Sequence, residues 1–280
     1  MKIALGTVQW GMKYGISNKS EIPNDSALKN IFKNANMAGI ELLDTASSYG
    51  NVENRIGQLS LNQFDIISKI NTNPNCKSIS AQIRGSLKAL NLDKLYGVLF
   101  HDSNDLIQNK TLWDQLIQNK KEGKVEKIGY SLYEPEQLDR LLDFEIFPDL
   151  IQLPYNIFDR KFEPYFPLLK EKGVEIHIRS IFLQGLLFKK SIDLPSSLKK
   201  LKPAIDQLQS ISKKFNKNIL SICLGYVLQK ELIDYCILGI DNESQLLEIV
   251  NSNKECSEEL IEEIEKIFIS SKDLLNPSTW

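Results

Sequence analysis

Short apolar runs alternate along this chain with longer segments whose apolar positions recur every three to four residues. The short runs are Lys2–Leu5, Ile40–Leu43, Phe64–Ile70, Leu95–Phe100, Val125–Tyr130, Leu150–Leu153, Val174–Ile178 and Asp234–Leu238, and each reads as a buried strand. Ser26–Met37, Val52–Leu59, Ser78–Leu90, Asp105–Lys121, Glu136–Leu142, Phe162–Lys172, Lys202–Phe215, Leu220–Lys230 and Glu243–Val250 read as helices. In the first of these, Leu28, Ile31, Phe32 and Ala35 share a face, and Asn24 or Asp25 stands where a cap belongs. A last helix, Glu258–Ile269, puts Leu260, Ile261, Ile264, Ile267 and Phe268 on one side. Leu186–Lys202, rich in Lys, Ser and Leu, is the best candidate for a mobile loop or lid.

Strand and helix alternate with a period of about 30 residues, that of a βα unit. No proline- or glycine-rich linker interrupts them, so residues 1–280 are expected to form one domain. The reading is an α/β protein, a (β/α)8 TIM barrel of about 250 residues with an additional C-terminal helix. A doubly wound open sheet is the alternative, but no GxGxxG follows the first strand.

Composition narrows the partners. The 280 residues are 42% hydrophobic and 25% charged, and 34 basic against 36 acidic residues leave a net charge of −2. That balance predicts no nucleic-acid partner and no attraction to a membrane surface. No apolar stretch is long enough to span a bilayer, and the N-terminus does not read as a signal peptide. Four cysteines without a CxxC pair, and only two histidines, argue against a metal site and for reduced thiols in a cytoplasmic protein.

Active sites of such barrels gather where the strands end. The second strand stops at Asp44, with Tyr49 in the loop behind it. The third ends near Lys69, the fourth at His101, the fifth leads into Ser131, the sixth carries Gln152 and the seventh ends at Arg179-Ser180. Taken singly, a surface lysine, a structural histidine, a capping aspartate and a packed tyrosine are unremarkable. Together, Asp44, Tyr49, Lys69 and His101 fit the reduction of a carbonyl. Tyrosine, with a pKa of about 10, is a weak acid unless its anion is stabilised. Lys69 would stabilise it and lower that pKa, Asp44 would hold Lys69, and His101 would orient the carbonyl oxygen. The hydride must come from a cofactor.

These stretches resemble the aldo-keto reductases over nearly the full chain. The resemblance rests on LGTVQWG at Leu5–Gly11, LLDTASSYGNVENRIG at Leu42–Gly57, ISKI at Ile67–Ile70, LFHD at Leu99–Asp102, IGYS at Ile128–Ser131, IQLPYN at Ile151–Asn156, SIFLQGLL at Ser180–Leu187 and ILGIDNESQL at Ile237–Leu246. It implies that Asp44, Tyr49, Lys69 and His101 are the catalytic tetrad. It further implies an extended NADP or NAD across the barrel mouth. Gly6, Thr7 and Asp44 would lie near the nicotinamide, and Ser131 and Gln152 at its carboxamide. Ser180, Phe182, Gln184 and Gly185 would take the pyrophosphate, and Gly239, Gln245 and Glu248 the adenosine.

Three departures stand out against that pattern. Leu132 replaces the asparagine that usually follows Ser131. Arg179 replaces the tyrosine that stacks on the nicotinamide, and is expected to stack there itself or to bind an acidic substrate group. Asp241 and Glu243 occupy a loop where many relatives place a cation for the 2′-phosphate of NADP, which points to weaker NADP preference than usual, with dual use of NADP and NAD or use of NAD.

Trp10, Tyr14, Tyr155 and Phe182 follow strand ends and are expected to line the substrate pocket. Lys189, Lys190, Lys199, Lys200 and Lys202 read mostly as ordinary solvated charges, with a lesser reading as a basic rim for an anionic substrate such as a sugar phosphate or nucleotide sugar. The short tail argues against Trp280 covering the pocket, and His177 reads as a structural residue facing the barrel interior beside Glu175. Two rivals to a small-molecule carbonyl reductase are a nucleotide-binding regulatory subunit with slow redox chemistry and a barrel lyase forming a Schiff base on Lys69.

Overall fold

A computed structural model of the protein describes residues 2–16, 18, 21–59, 63–72 and 78–280. Cys76 lies outside them. Eight parallel strands close into a barrel in chain order: β1 (Lys2–Gly6), β2 (Leu42–Asp44), β3 (Asp65–Ile70), β4 (Leu95–Phe100), β5 (Val125–Ser131), β6 (Leu150–Pro154), β7 (Glu175–Arg179) and β8 (Tyr235–Gly239). Five residue pairs from Lys2↔Tyr235 to Gly6↔Gly239 zip β8 to β1 and complete the ring.

The two-residue period of a strand divides its side chains between two cores. Ala4, Leu42, Ile67, Leu99, Leu150 and Ile237 point inward and fill the barrel. Their neighbours, such as Leu5, Leu43, Ile66, Val98, Ile151 and Ile178, point outward against the helices. Two residues beyond the inward set stand Gly6, Asp44, Lys69, His101, Gln152 and Gly239, so the same alternation aims these positions at the mouth of the barrel.

The expected elements appear with four adjustments. Phe162–Lys172 is a 3-10 turn, Glu163–Tyr165, that runs into a short helix, Phe166–Glu171. Asp105–Lys121 is two helices, Asn104–Gln108 and Thr111–Lys121, because Asn109 Oδ1 accepts from Thr111 N and Thr111 Oγ1 and starts a new helix. The last helix stops at Glu265, although Ile267 and Ile269 beyond it are still buried. Leu186–Lys202 is not a free loop: it runs as 3-10 turns, and Leu194, Leu198 and Leu201 are buried in the core. Leucine spacing in that segment serves packing.

At the closed end of the barrel His177 is buried and its Nε2 lies 2.5 Å from Glu175 Oε1, as the alternation of β7 implied. Burial disfavours the Glu175 carboxylate, but bonds from His177, Lys127 and Tyr96 outweigh it and hold its pKa down to about 2. Cys223 and Cys236 are buried and free, and Cys256 is free and half-buried. Among the described residues no helix is long and apolar enough to cross a membrane.

Candidate active site

A cavity of about 700 Å³ opens at the C-terminal ends of the strands. Its walls include Asp44, Tyr49, Lys69 and His101, which come from β2, the loop after it, β3 and the residue after β4. Lys69 is 1% exposed. Its Nζ donates to both Asp44 oxygens at 2.6 Å, to Thr45 O at 3.2 Å and to the Tyr49 hydroxyl at 3.5 Å. Burial alone would lower the pKa of the ammonium. The Asp44 carboxylate and Tyr49 more than offset that, and the Lys69 pKa is raised.

Burial pushes the Tyr49 phenol above its ordinary pKa, and Lys69 pulls it back only in part. The expectation that the ammonium lowers this pKa holds for the interaction but not for the net direction. Removing the hydroxyl from water costs the phenolate more than one cation at 3.5 Å restores. Tyr49 is therefore protonated at neutral pH and available as an acid.

The His101 ring stands edge to face with Tyr49, centroids 5.7 Å apart. Burial, then the Lys69 charge, lower its pKa from 6.5 to about 4. Its Nδ1 lies 3.3 Å from the Ser48 hydroxyl. A neutral ring accepting there carries its proton on Nε2 and can donate it to a bound oxygen. Neither Ser48 nor this tautomer choice figured in the sequence reading, although Ser48 adjoins Tyr49.

Gln152 Nε2 donates to Asp44 Oδ1 at 2.8 Å. One N–H of its amide is thus tied to the Asp44–Lys69 pair. Leu132 is fully buried, and Arg179 takes over its backbone: Nη2 donates to Leu132 O at 2.8 Å and Nη1 to Ser180 Oγ at 3.3 Å. The Arg179 guanidinium lies over the Tyr133 ring at 4.1 Å. Tyr133 also lines the cavity and was missed, though it stands two residues past Ser131.

Gly6, Thr7, Ser131, Ser180, Phe182, Gln184, Gly185, Gly239, Asp241, Gln245 and Glu248 all border the same cavity, as does Tyr14. Tyr14 accepts from Gln184 Nε2 at 3.1 Å, and Asp241 accepts from Asn18 Nδ2 at 2.8 Å and from Gln245 Nε2 at 3.2 Å. The loop after β1 is thereby tied to the loops after β7 and β8.

Trp10 and Tyr155 are not pocket residues. Val8–Gly11 makes a helical turn that drives Trp10 into the core, where its Nε1 donates to Ile240 O at 2.7 Å and its ring meets Phe32 edge-on. Tyr155 follows Gln152 by an odd number of residues, so it faces outward and packs on Phe166 and Tyr226. None of Lys189, Lys190, Lys199, Lys200 and Lys202 lines the cavity, and Lys202 pairs with Asp206. Trp280 also lies off the cavity and donates to Leu274 O at 2.9 Å.

Features of this cavity fit a dinucleotide. Thr7 Oγ1 and Gln9 Oε1 are buried without a partner, and both residues line the cavity. Ser180, Leu183, Gln184 and Gly185 take φ of 64°, 45°, 54° and 84°, a strained run bent around one end of it.

Comparison with known proteins gives the same picture. A sequence model of the aldo/keto reductase family matches residues 2–269. Glyoxal reductase of Bacillus subtilis is 25% identical over 223 residues, 76% of this chain and 74% of its own. An uncharacterized oxidoreductase of the same bacterium is 26% identical over 226 residues, with 76% and 74% covered. An aldo-keto reductase from Bacillus halodurans, solved in its holo form, superposes with a TM-score of 0.74 at 20% identity, covering 95% of this chain and 91% of the other, a likeness of fold. The protein is an oxidoreductase that belongs to the aldo/keto reductase family.

Proposed function

We propose that the protein reduces an aldehyde or ketone to an alcohol with a nicotinamide dinucleotide. The observation that carries this reading is the Tyr49 hydroxyl 3.5 Å from a buried ammonium, itself fixed by two 2.6 Å bonds to Asp44. The bound dinucleotide would supply the hydride, which no side chain can. Tyr49 gives its proton to the carbonyl oxygen as negative charge develops there, and Lys69 stabilises the phenolate left behind. His101, neutral, donates from Nε2 to the same oxygen and sets its direction. Asp44 keeps the ammonium in place, and Gln152 keeps Asp44 in place. The phenolate recovers its proton from water.

Thr7, Ser131 and the Gln152 carbonyl would hold the nicotinamide end, Ser180 to Gly185 the pyrophosphate, and Gln245 and Glu248 the adenosine. The described cations lining the cavity are Lys69 and Arg179, both away from Asp241, while Asp241 and Glu248 are acids. A free ribose hydroxyl suits that end better than a phosphate, so NADH is the proposed cofactor.

The test is Tyr49→Phe. Turnover with a panel of aldehydes and ketones, keto sugars and sugar nucleotides included, should fall by about 10²-fold or more while NADH binding persists. Near wild-type turnover in that variant would refute the role. A lyase using Lys69 as a nucleophile is disfavoured, since its nitrogen is charged and engaged on both Asp44 oxygens. A regulatory subunit would show single-turnover oxidation of bound NADH that is slow with every carbonyl in the panel.

A further inference from the structure

Two cations line the cavity among the described residues, and only one of them is neutralised. Lys69 is paired with Asp44. Arg179 has no carboxylate within ion-pair distance among the described residues; its partners are a carbonyl, a hydroxyl and an aromatic face. Each amino group donates one N–H, to Ser180 Oγ and to Leu132 O, which fixes where the guanidinium lies. With Tyr133 against one face and its amino groups pinned to the loops after β5 and β7, the group is a fixed plate of positive charge. Its field extends to the catalytic end, where it adds to the forces that keep His101 neutral.

Resting on the cofactor reading above, we propose that Arg179 makes this site discriminate between the two oxidation states of the dinucleotide, binding the reduced form more tightly than the oxidised form. The oxidised nicotinamide ring carries a positive charge and the reduced ring does not. A fixed cation lining the cavity repels the first and does not repel the second. Tyr133 and the Leu132 carbonyl hold the guanidinium in the cavity wall. The arrangement favours uptake of NADH and release of NAD+, which is the direction of carbonyl reduction.

The experiment measures dissociation constants for NADH and NAD+ by fluorescence and calorimetry in the wild type, Arg179→Gln and Arg179→Lys. Glutamine keeps a donor for the neighbouring oxygens without the charge. We expect the wild type to bind NAD+ roughly tenfold or more weakly than NADH, the ratio to collapse toward one in Arg179→Gln, and lysine to restore most of it. A purely structural Arg179 would weaken both forms in parallel and leave the ratio unchanged, which overturns the proposal. So does a wild-type ratio at or below one, even where Arg179→Gln fails to fold. An unchanged ratio with lost turnover only of carboxylate-bearing aldehydes assigns the charge to the substrate instead. If the wild type binds neither form, the cofactor reading itself has failed, and this inference with it.

Discussion

Gln152 Nε2 lies 2.8 Å from Asp44 Oδ1, the oxygen that also accepts from Lys69 at 2.6 Å. One carboxylate oxygen therefore links β6 to β3 beside the Tyr49 hydroxyl. Asp44→Asn should cost about 3–5 kcal/mol in urea denaturation, because it strands a buried ammonium. Gln152→Leu should cost less, about 1–3 kcal/mol, since Asp44 keeps its charged partner. The reverse order would mean that Gln152, not Lys69, holds the carboxylate.

His101 provides a pH test with a definite sign. Its pKa falls from 6.5 to about 4 on folding, chiefly through burial and then Lys69. Below pH 6.5 the unfolded chain takes up a proton that the native site refuses. The neutral ring's contribution is therefore fully present above pH 6.5 and is lost as pH falls toward 4. Between pH 7 and pH 4.5 the wild type should lose stability relative to His101→Gln in thermal melts, and turnover should show no inflection near 6.5.

Gly11 packs where no side chain fits. A Cβ there would sit 1.8 Å from the backbone oxygen of Tyr49. Gly11→Ala must displace the loop that carries the acid, and a shift of about 1 Å can cost about a hundredfold in kcat. Steady-state kinetics with retained far-UV circular dichroism would show this, and unchanged kcat would contradict it.

Asp241 is the position to change for cofactor choice. Asp241→Arg removes an acceptor for Asn18 and Gln245 and brings a cation to a cavity end where none is described. The ratio of kcat/KM for NADPH over NADH should rise roughly tenfold or more. A wild type that favours NADPH a hundredfold would refute the NADH assignment.

Glu53 is buried beneath β3, where Ser68 and Ser86 donate to its two oxygens at 2.6 and 3.1 Å. Burial raises its pKa against those bonds. Glu53→Gln should be tolerated, whereas Glu53→Ala should cost about 1–3 kcal/mol through two hydroxyls left unpaired. Equal losses in chemical denaturation would rule out the hydrogen bonds as the cause.

The barrel, its strand order and the inward aim of Asp44, Lys69 and His101 were legible in the chain, because a two-residue period and a stop at a polar residue are local properties. Alternation also determined that His177 would face Glu175. What alternation says about Tyr155 was equally available: an odd offset from Gln152 sends it outward. Trp10 was not readable, since a single helical turn between β1 and the next loop sets its direction. Nor was the packing of Leu186–Lys202, where scattered leucines meet a surface formed by other parts of the chain.

Electrostatics was decided by the tertiary structure alone. Sequence placed Lys69 near Tyr49 and implied a lowered phenol pKa. The fold buried both groups, and desolvation, which depends on every atom around a site, reversed the net direction. The same holds for Arg179. Its residue type and strand-end position were plain from the sequence, but that its amino groups would bond Leu132 and Ser180, with no carboxylate among the described residues beside it, follows only from how the loops after β5 and β7 converge.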